Sequence, residues 1–126
     1  MTLIFDAGAL IALERGDTSM WKRWTAAAHV ERELPVTHGG VVGQAWRGGA
    51  RQARLARALP GIEVLDLSER LGRLAGELMG RAGTSDVVDA ALISLAADGD
   101  IVYTSDVGDL KHLAEVRGLD VDIVRV

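Results

Sequence analysis

Five short apolar, β-favouring runs punctuate the chain: Thr2–Phe5, Pro35–Thr37, Ile62–Leu65, Ile101–Thr104 and Val121–Val124. Between them lie longer stretches with helical spacing of apolar residues, among them Ser19–Glu33, Ser68–Gly80, the segment from Asp86 through Ala97, and Val107–Arg117. Runs this short and this uniformly apolar suit strands buried on both faces, and their alternation with helices is the pattern of a parallel sheet covered on both sides. The expectation is an α/β chain of about five strands, organised as a single domain over residues 1–126. Gly16-Asp17, Gly48-Gly49, Pro60-Gly61 and Gly118 supply the breaks, with Asp17 or Thr18 and the Thr84-Ser85-Asp86 run as caps.

The chain is long enough for one core without disulfides, and it has no cysteine, which excludes thiolate metal sites and cysteine nucleophiles. Its 14 basic and 18 acidic residues leave a net charge of −4. Binding of nucleic acid by bulk electrostatics is therefore disfavoured; a phosphate-bearing partner needs a local basic patch or a bound cation. No secretory signal is evident, and the apolar run Ala90–Ala97 is far short of the ~20 residues of a membrane span. A cytoplasmic location without membrane association is expected. His29, His38 and His112 are scattered without metal-ligand spacing and are read as structural or solvent-facing.

In a parallel sheet, ligands bind beyond the carboxyl ends of the strands, so the residues that terminate strands carry the functional information. Asp6 ends the first run and Asp106 follows the fourth, while Asp86 and Asp89 lie three apart at a helix start and share a face. Asp86 and Asp106 also fit helix caps, and Asp89 a first-turn acid. Asp6, placed directly after a buried strand, is harder to explain without a partner. Two carboxylates about 4 Å apart repel by roughly 4 kcal/mol at an effective dielectric near 20. Acids that converge on one edge thus call for a cation between them. All-oxygen ligands suit Mg2+ or Mn2+, ions that activate water and stabilise phosphoryl displacement.

Leu3-Ile4-Phe5-Asp6-Ala7-Gly8-Ala9-Leu10-Ile11-Ala12-Leu13-Glu14 resembles the opening of PIN domains. Val87-Val88-Asp89-Ala90 with Leu95-Ala96, followed by Val102-Tyr103-Thr104-Ser105-Asp106, resembles their C-terminal half. The order and spacing match along the whole chain, and the length is that of the VapC toxin branch. The resemblance implies a three-layer fold with a 3-2-1-4-5 parallel sheet. It also implies a Mg2+- or Mn2+-dependent endoribonuclease, the toxin of a toxin–antitoxin pair. Such a toxin is a homodimer acting on RNA and neutralised by a small VapB-like antitoxin. The family's first, third and fourth acids fall on Asp6, Asp89 and Asp106. Its second, usually a glutamate, falls on Gln44, where this chain departs from the pattern.

An amide oxygen can ligate a hard cation or position its water, but it carries no charge and is a poor base. Weaker metal affinity and slower catalysis are expected, with Glu14 or Asp86 as substitutes. The alternative is a catalytically weakened PIN module that binds RNA or an antitoxin without efficient cleavage. A phosphorylated receiver domain, the third reading of an acidic edge, is disfavoured because Lys22 and Lys111, the only lysines, follow no strand.

Arg47, Arg51, Arg54 and Arg57 place +4 in residues 47–57 and leave −8 in the rest of the chain. On one helix they form a basic stripe that would track an RNA backbone or an acidic antitoxin segment, or lie solvated. Thr104 and Ser105 are candidates to position water or phosphate, although strand-end hydrogen bonding accounts for them as well. Trp21 and Trp24 read as core or dimer contacts before base-stacking groups.

Overall fold

The computed structural model describes residues 1–126. Strands β1 (Leu3–Phe5), β2 (Val36–His38), β3 (Glu63–Leu65), β4 (Ile101–Thr104) and β5 (Asp122–Arg125) form one sheet in the order β3-β2-β1-β4-β5, and every pair is parallel. Seven helices accompany it: α1 (Ala7–Glu14), α2 (Thr18–Thr25), α3 (Gly39–Ala45), α4 (Ala53–Ala58), α5 (Glu69–Ala82), α6 (Val87–Leu95) and α7 (Val107–Arg117). The expected α/β class and strand order are those observed. No helix is long and apolar enough to cross a membrane.

The central strands explain why the apolar runs lack alternation. Ile4, Phe5, Val102 and Tyr103 are all buried, because β1 and β4 have helices on both faces. Phe5 and Tyr103 are register partners and pack edge to face at 5.9 Å. The core of 24 residues continues into the helices through Leu10, Leu13, Leu78, Leu92, Ile93, Leu110 and Leu113.

Coverage fails at one edge. All three residues of β3 are exposed, Val64 and Leu65 among them, so the expectation of a sheet buried on both faces does not extend to this outermost strand. The second strand begins one residue later than expected: Pro35 has no N–H for the ladder, and its carbonyl accepts instead from Glu63 N at 2.8 Å. Ile62 is drawn into a turn by its own N–H, which donates to Leu59 O at 2.9 Å. The second helical stretch changes character at Ala26–Glu31, which is π-helical, and ends at Arg32 in a left-handed conformation (φ 55°).

The arginine-rich segment is not one helix. Gly48 and Gly49, with φ 77° and 100°, break the chain after α3; a 3-10 turn over Ala50–Gln52 precedes α4, and another over Leu59–Gly61 follows it. Arg47 therefore lies in a loop, where it donates to Gly43 O at 3.0 Å and Trp46 O at 2.8 Å. Arg54 and Arg57 alone share a face of α4.

The order of the strands reverses between β1 and β4, so the crevice at their carboxyl ends is the switch point of the sheet. Gly8, in the first turn of α1, lets this helix approach the end of β4. A Cβ at residue 8 would lie 2.6 Å from Ser105 Cβ and 2.8 Å from Ser105 N. Gly8→Ala should destabilise the protein by about 1–3 kcal/mol through this overlap, measured as a lowered urea midpoint with an unchanged slope.

Candidate metal centre

Asp6 stands at the tip of β1 because the strand ends there and α1 begins. It is the N-cap of α1, and its Oδ1 accepts from Ala9 N at 3.0 Å. Its Oδ2 accepts a short hydrogen bond from Thr104 Oγ1 at the end of β4. Thr104 Oγ1 accepts in turn from Asp106 N at 2.7 Å. One fully buried hydroxyl thus joins the two strand ends that flank the switch point. Thr104, a candidate RNA contact in the sequence, is sealed from solvent and holds Asp6; Ser105 beside it is exposed.

Asp89 arrives from α6, which packs against α5 and α7. The residues after it, Ala90–Ile93, are fully buried, so α6 is held tightly with its first turn at the strand ends. His38 fixes that turn. Its Nδ1 accepts from Gly40 N at 3.0 Å, which leaves the proton on Nε2 to donate to Val88 O at 2.9 Å. Burial lowers its pKa, which favours the neutral ring that this hydrogen-bond pattern requires. The reading of His38 as structural agrees with this geometry. His112 Nε2 likewise pairs with Ala82 O, and His29 packs edge-on against Trp24.

Asp89, Asp106 and Asp109 each offer a carboxylate oxygen, and these oxygens lie within 4.8 Å of one another. Asp89 is half-buried; Asp106 and Asp109 are exposed at the start of α7. Asp109 was absent from the sequence candidates. Its signal was legible, since Asp106 and Asp109 repeat the i, i+3 spacing of Asp86 and Asp89 at a helix start.

The electrostatics follow from this crowding. Burial, and then the charges of Asp86, Asp6, Asp106 and Asp109, push the Asp89 carboxyl from its ordinary 3.8 up to about 7. Asp6 is raised by burial, which outweighs its hydrogen bonds from Thr104, Ala9, Gly8 and Ser105. Asp106 is raised by local desolvation, by its hydrogen bond with Asp109 and by the charges of Asp109 and Asp6. Asp6 lies outside the group of three but within its field.

The remaining candidates are placed elsewhere. Asp86 is the N-cap of α6 and accepts from Val88 N and Asp89 N at 3.0 and 3.1 Å; it acts on the site through its charge on Asp89. Glu14 accepts from Gln52 Nε2 at 2.5 Å and ties α1 to the 3-10 turn before α4. Gln44 is exposed on α3 and makes no side-chain hydrogen bond. Arg51 is exposed, and Trp24 belongs to the core.

Three carboxylates, all-oxygen in character and open on one side, fit a hard divalent cation of the Mg2+ or Mn2+ type. Asp89, Asp106 and Asp109 would hold it, with Asp6 behind them. No protein-family model and no curated protein sequence matches the chain. Its fold is similar to that of a chain in the crystal structure of VapBC2 from Rickettsia felis bound to a DNA fragment from their promoter. The TM-score is 0.68 over 98% of each chain, at 14% identity. The likeness is one of fold.

Thr104→Val removes the donor to Asp6 and the acceptor for Asp106 N together. It should cost about 2–3 kcal/mol in urea unfolding, with Thr104→Ser restoring most of it. The titration of Asp89 has a definite sign. The fold retains this proton up to about pH 7, whereas the unfolded chain releases it near 3.8. The stabilisation is full below the lower value and is lost as the pH rises through the upper one. In chelator, Asp89→Asn should therefore melt higher than the parent at about pH 8, by roughly 1–2 kcal/mol after screening by solvent, and alike at about pH 4. Calorimetry at the two pH values checks this.

Proposed function

We propose that the protein is a metal-dependent endoribonuclease of the PIN type, the toxin of a toxin–antitoxin pair. The observation that carries this reading is the convergence of Asp89, Asp106 and Asp109 at the switch point of the sheet, with Asp6 held behind them. A divalent cation bound there would supply Lewis-acid stabilisation of charge on a phosphodiester and make water more acidic.

The chain's own residues set the conditions for that chemistry. Thr104 and Ala9 N–H fix both oxygens of Asp6, so that its orientation does not depend on a ligand. His38 anchors the α6 turn that carries Asp89. Asp106 and Asp109 sit on the open side, where a polymer can approach without entering an enclosed pocket. Like charges gathered without a counter-charge attract a cation and then, through it, the anionic backbone that the net charge of −4 alone would repel. The fold shared with a VapBC2 chain supports a small VapB-like antitoxin as partner; a homodimer as the working form is part of the same proposal.

Exposed, uncharged Gln44 favours the second reading, a module of the same fold that binds RNA or an antitoxin and cleaves poorly. The two separate on incubation of the protein with RNA and Mn2+. Cleavage that stops with chelator and falls about tenfold to a hundredfold in Asp6→Asn supports the enzyme; equal products from parent and variant refute it. Gln44→Glu should tighten Mn2+ binding in calorimetry and raise the cleavage rate. Unchanged Mn2+ binding would place residue 44 outside the site.

A further inference from the structure

A second feature lies at the other end of α1. Gly16, Thr18, Trp21, Trp24, Arg54 and Arg57 line a cleft of about 540 Å³ between the α1–α2 turn and α4. The eight residues of α1 span about 12 Å, so the cleft is separate from the carboxylates at the helix start. Trp21 and Trp24 meet edge to face at 5.2 Å. Trp24 is core, while Trp21 is half-buried and presents part of its indole to the cleft.

The N–H groups of both indoles and of the adjoining turn are already used, and only the hydroxyl of exposed Thr18 is free beside them. Trp21 Nε1 donates to Leu13 O at 2.9 Å and Trp24 Nε1 to Ala58 O at 3.1 Å. The N–H groups of the turn bond inward, Gly16 N to Leu13 O and Asp17 N to Ala12 O. The two acids nearest in sequence are also engaged: Glu14 with Gln52, and Asp17 as the cap of α2. Arg54 and Arg57, by contrast, are exposed, three residues apart on one helix face, and neither takes part in the chain's two ion pairs. The Arg54 guanidinium lies against Gly16, where a Cβ would come within 3.2 Å of its Cζ.

What remains on offer is an aromatic surface, one hydroxyl and two unpaired, planar cations. An extended peptide needs main-chain partners, and an amphipathic helix needs a long apolar groove; the cleft has neither. A nucleotide needs a ring to stack on and cations for its phosphates. We propose that this cleft is a nucleotide subsite, in which a base lies against Trp21 and the flanking phosphates meet Arg54 and Arg57. It would hold a single-stranded RNA segment apart from the carboxylates. This deepens the nuclease reading and rests on it for the choice of polymer.

The test uses the full chain in chelator with a fluorescent oligoadenylate RNA, read by anisotropy and by tryptophan emission. The parent should bind with quenching of emission. The exposed-residue double variant Arg54→Gln/Arg57→Gln should bind about tenfold more weakly and lower the salt slope by about 1.4, the share of two phosphates on a single strand. Trp21→Leu should weaken binding while keeping the salt slope. Failure of the parent to bind, or equal affinity and slope in the arginine variant, overturns the subsite. So does a polyglutamate peptide that competes as well as the RNA, which would make the cleft a protein-binding surface. Cleavage with Mn2+ is scored separately. Arginine-dependent binding without cleavage keeps the subsite and removes the nuclease; cleavage indifferent to both arginines does the reverse.

Discussion

The hydroxyl of Thr104 is the interaction on which the architecture of the site depends. It donates to Asp6 and accepts from Asp106 N, and thereby couples the ends of β1 and β4 where the sheet changes direction. Without it, a buried carboxylate at the tip of β1 would lose its principal donor, and the turn that leads into α7 would lose its acceptor. The same turn carries Asp106 and presents Asp109 one helical turn later. A single buried polar contact therefore sets the positions of three of the four acids.

The fourth acid is controlled by a different element, α6. Asp89 is held by the packing of α6 and by His38, a neutral imidazole whose two nitrogens bridge α3 to α6. The arrangement works against folding stability in the cation-free protein, because five acids share one field and half-buried Asp89 resists ionisation. Natural chains retain such strain where it has a use. A divalent cation bound among these acids would relieve the strain, and its affinity would then depend on the tightness of the scaffold around it.

The distribution of charge has the same logic on a larger scale. Acids are collected at the strand ends, and four arginines with no acid between them lie in residues 47–57. On one helix the four would form a stripe, but the Gly48-Gly49 break legible in the sequence puts Arg47 in a loop, and the 3-10 turn holds Arg51 outside α4. The outcome is a pair of cations beside an indole in place of a stripe. Proximity to tryptophan, which gives those cations a chemical context, comes from the packing of the α1–α2 turn on α4 and has no local signature.

Much of the fold was legible because its cause is local. Short apolar runs with no alternation demand burial on both faces, and helices between them demand parallel pairing, so the α/β sheet followed. The acids at strand ends followed too, since Asp6 and Asp106 are defined by where a strand stops. Strand order and the roles of Asp86, Glu14 and Asp109 depend on contacts between distant segments. Asp86 and Asp106 are both N-cap residues, yet the first caps its helix with its side chain and the second joins the carboxylate group; the surroundings each meets in the fold distinguish them. Periodicity and punctuation determine which elements form, whereas the convergence of side chains depends on long-range packing, and that was decided by the tertiary structure alone.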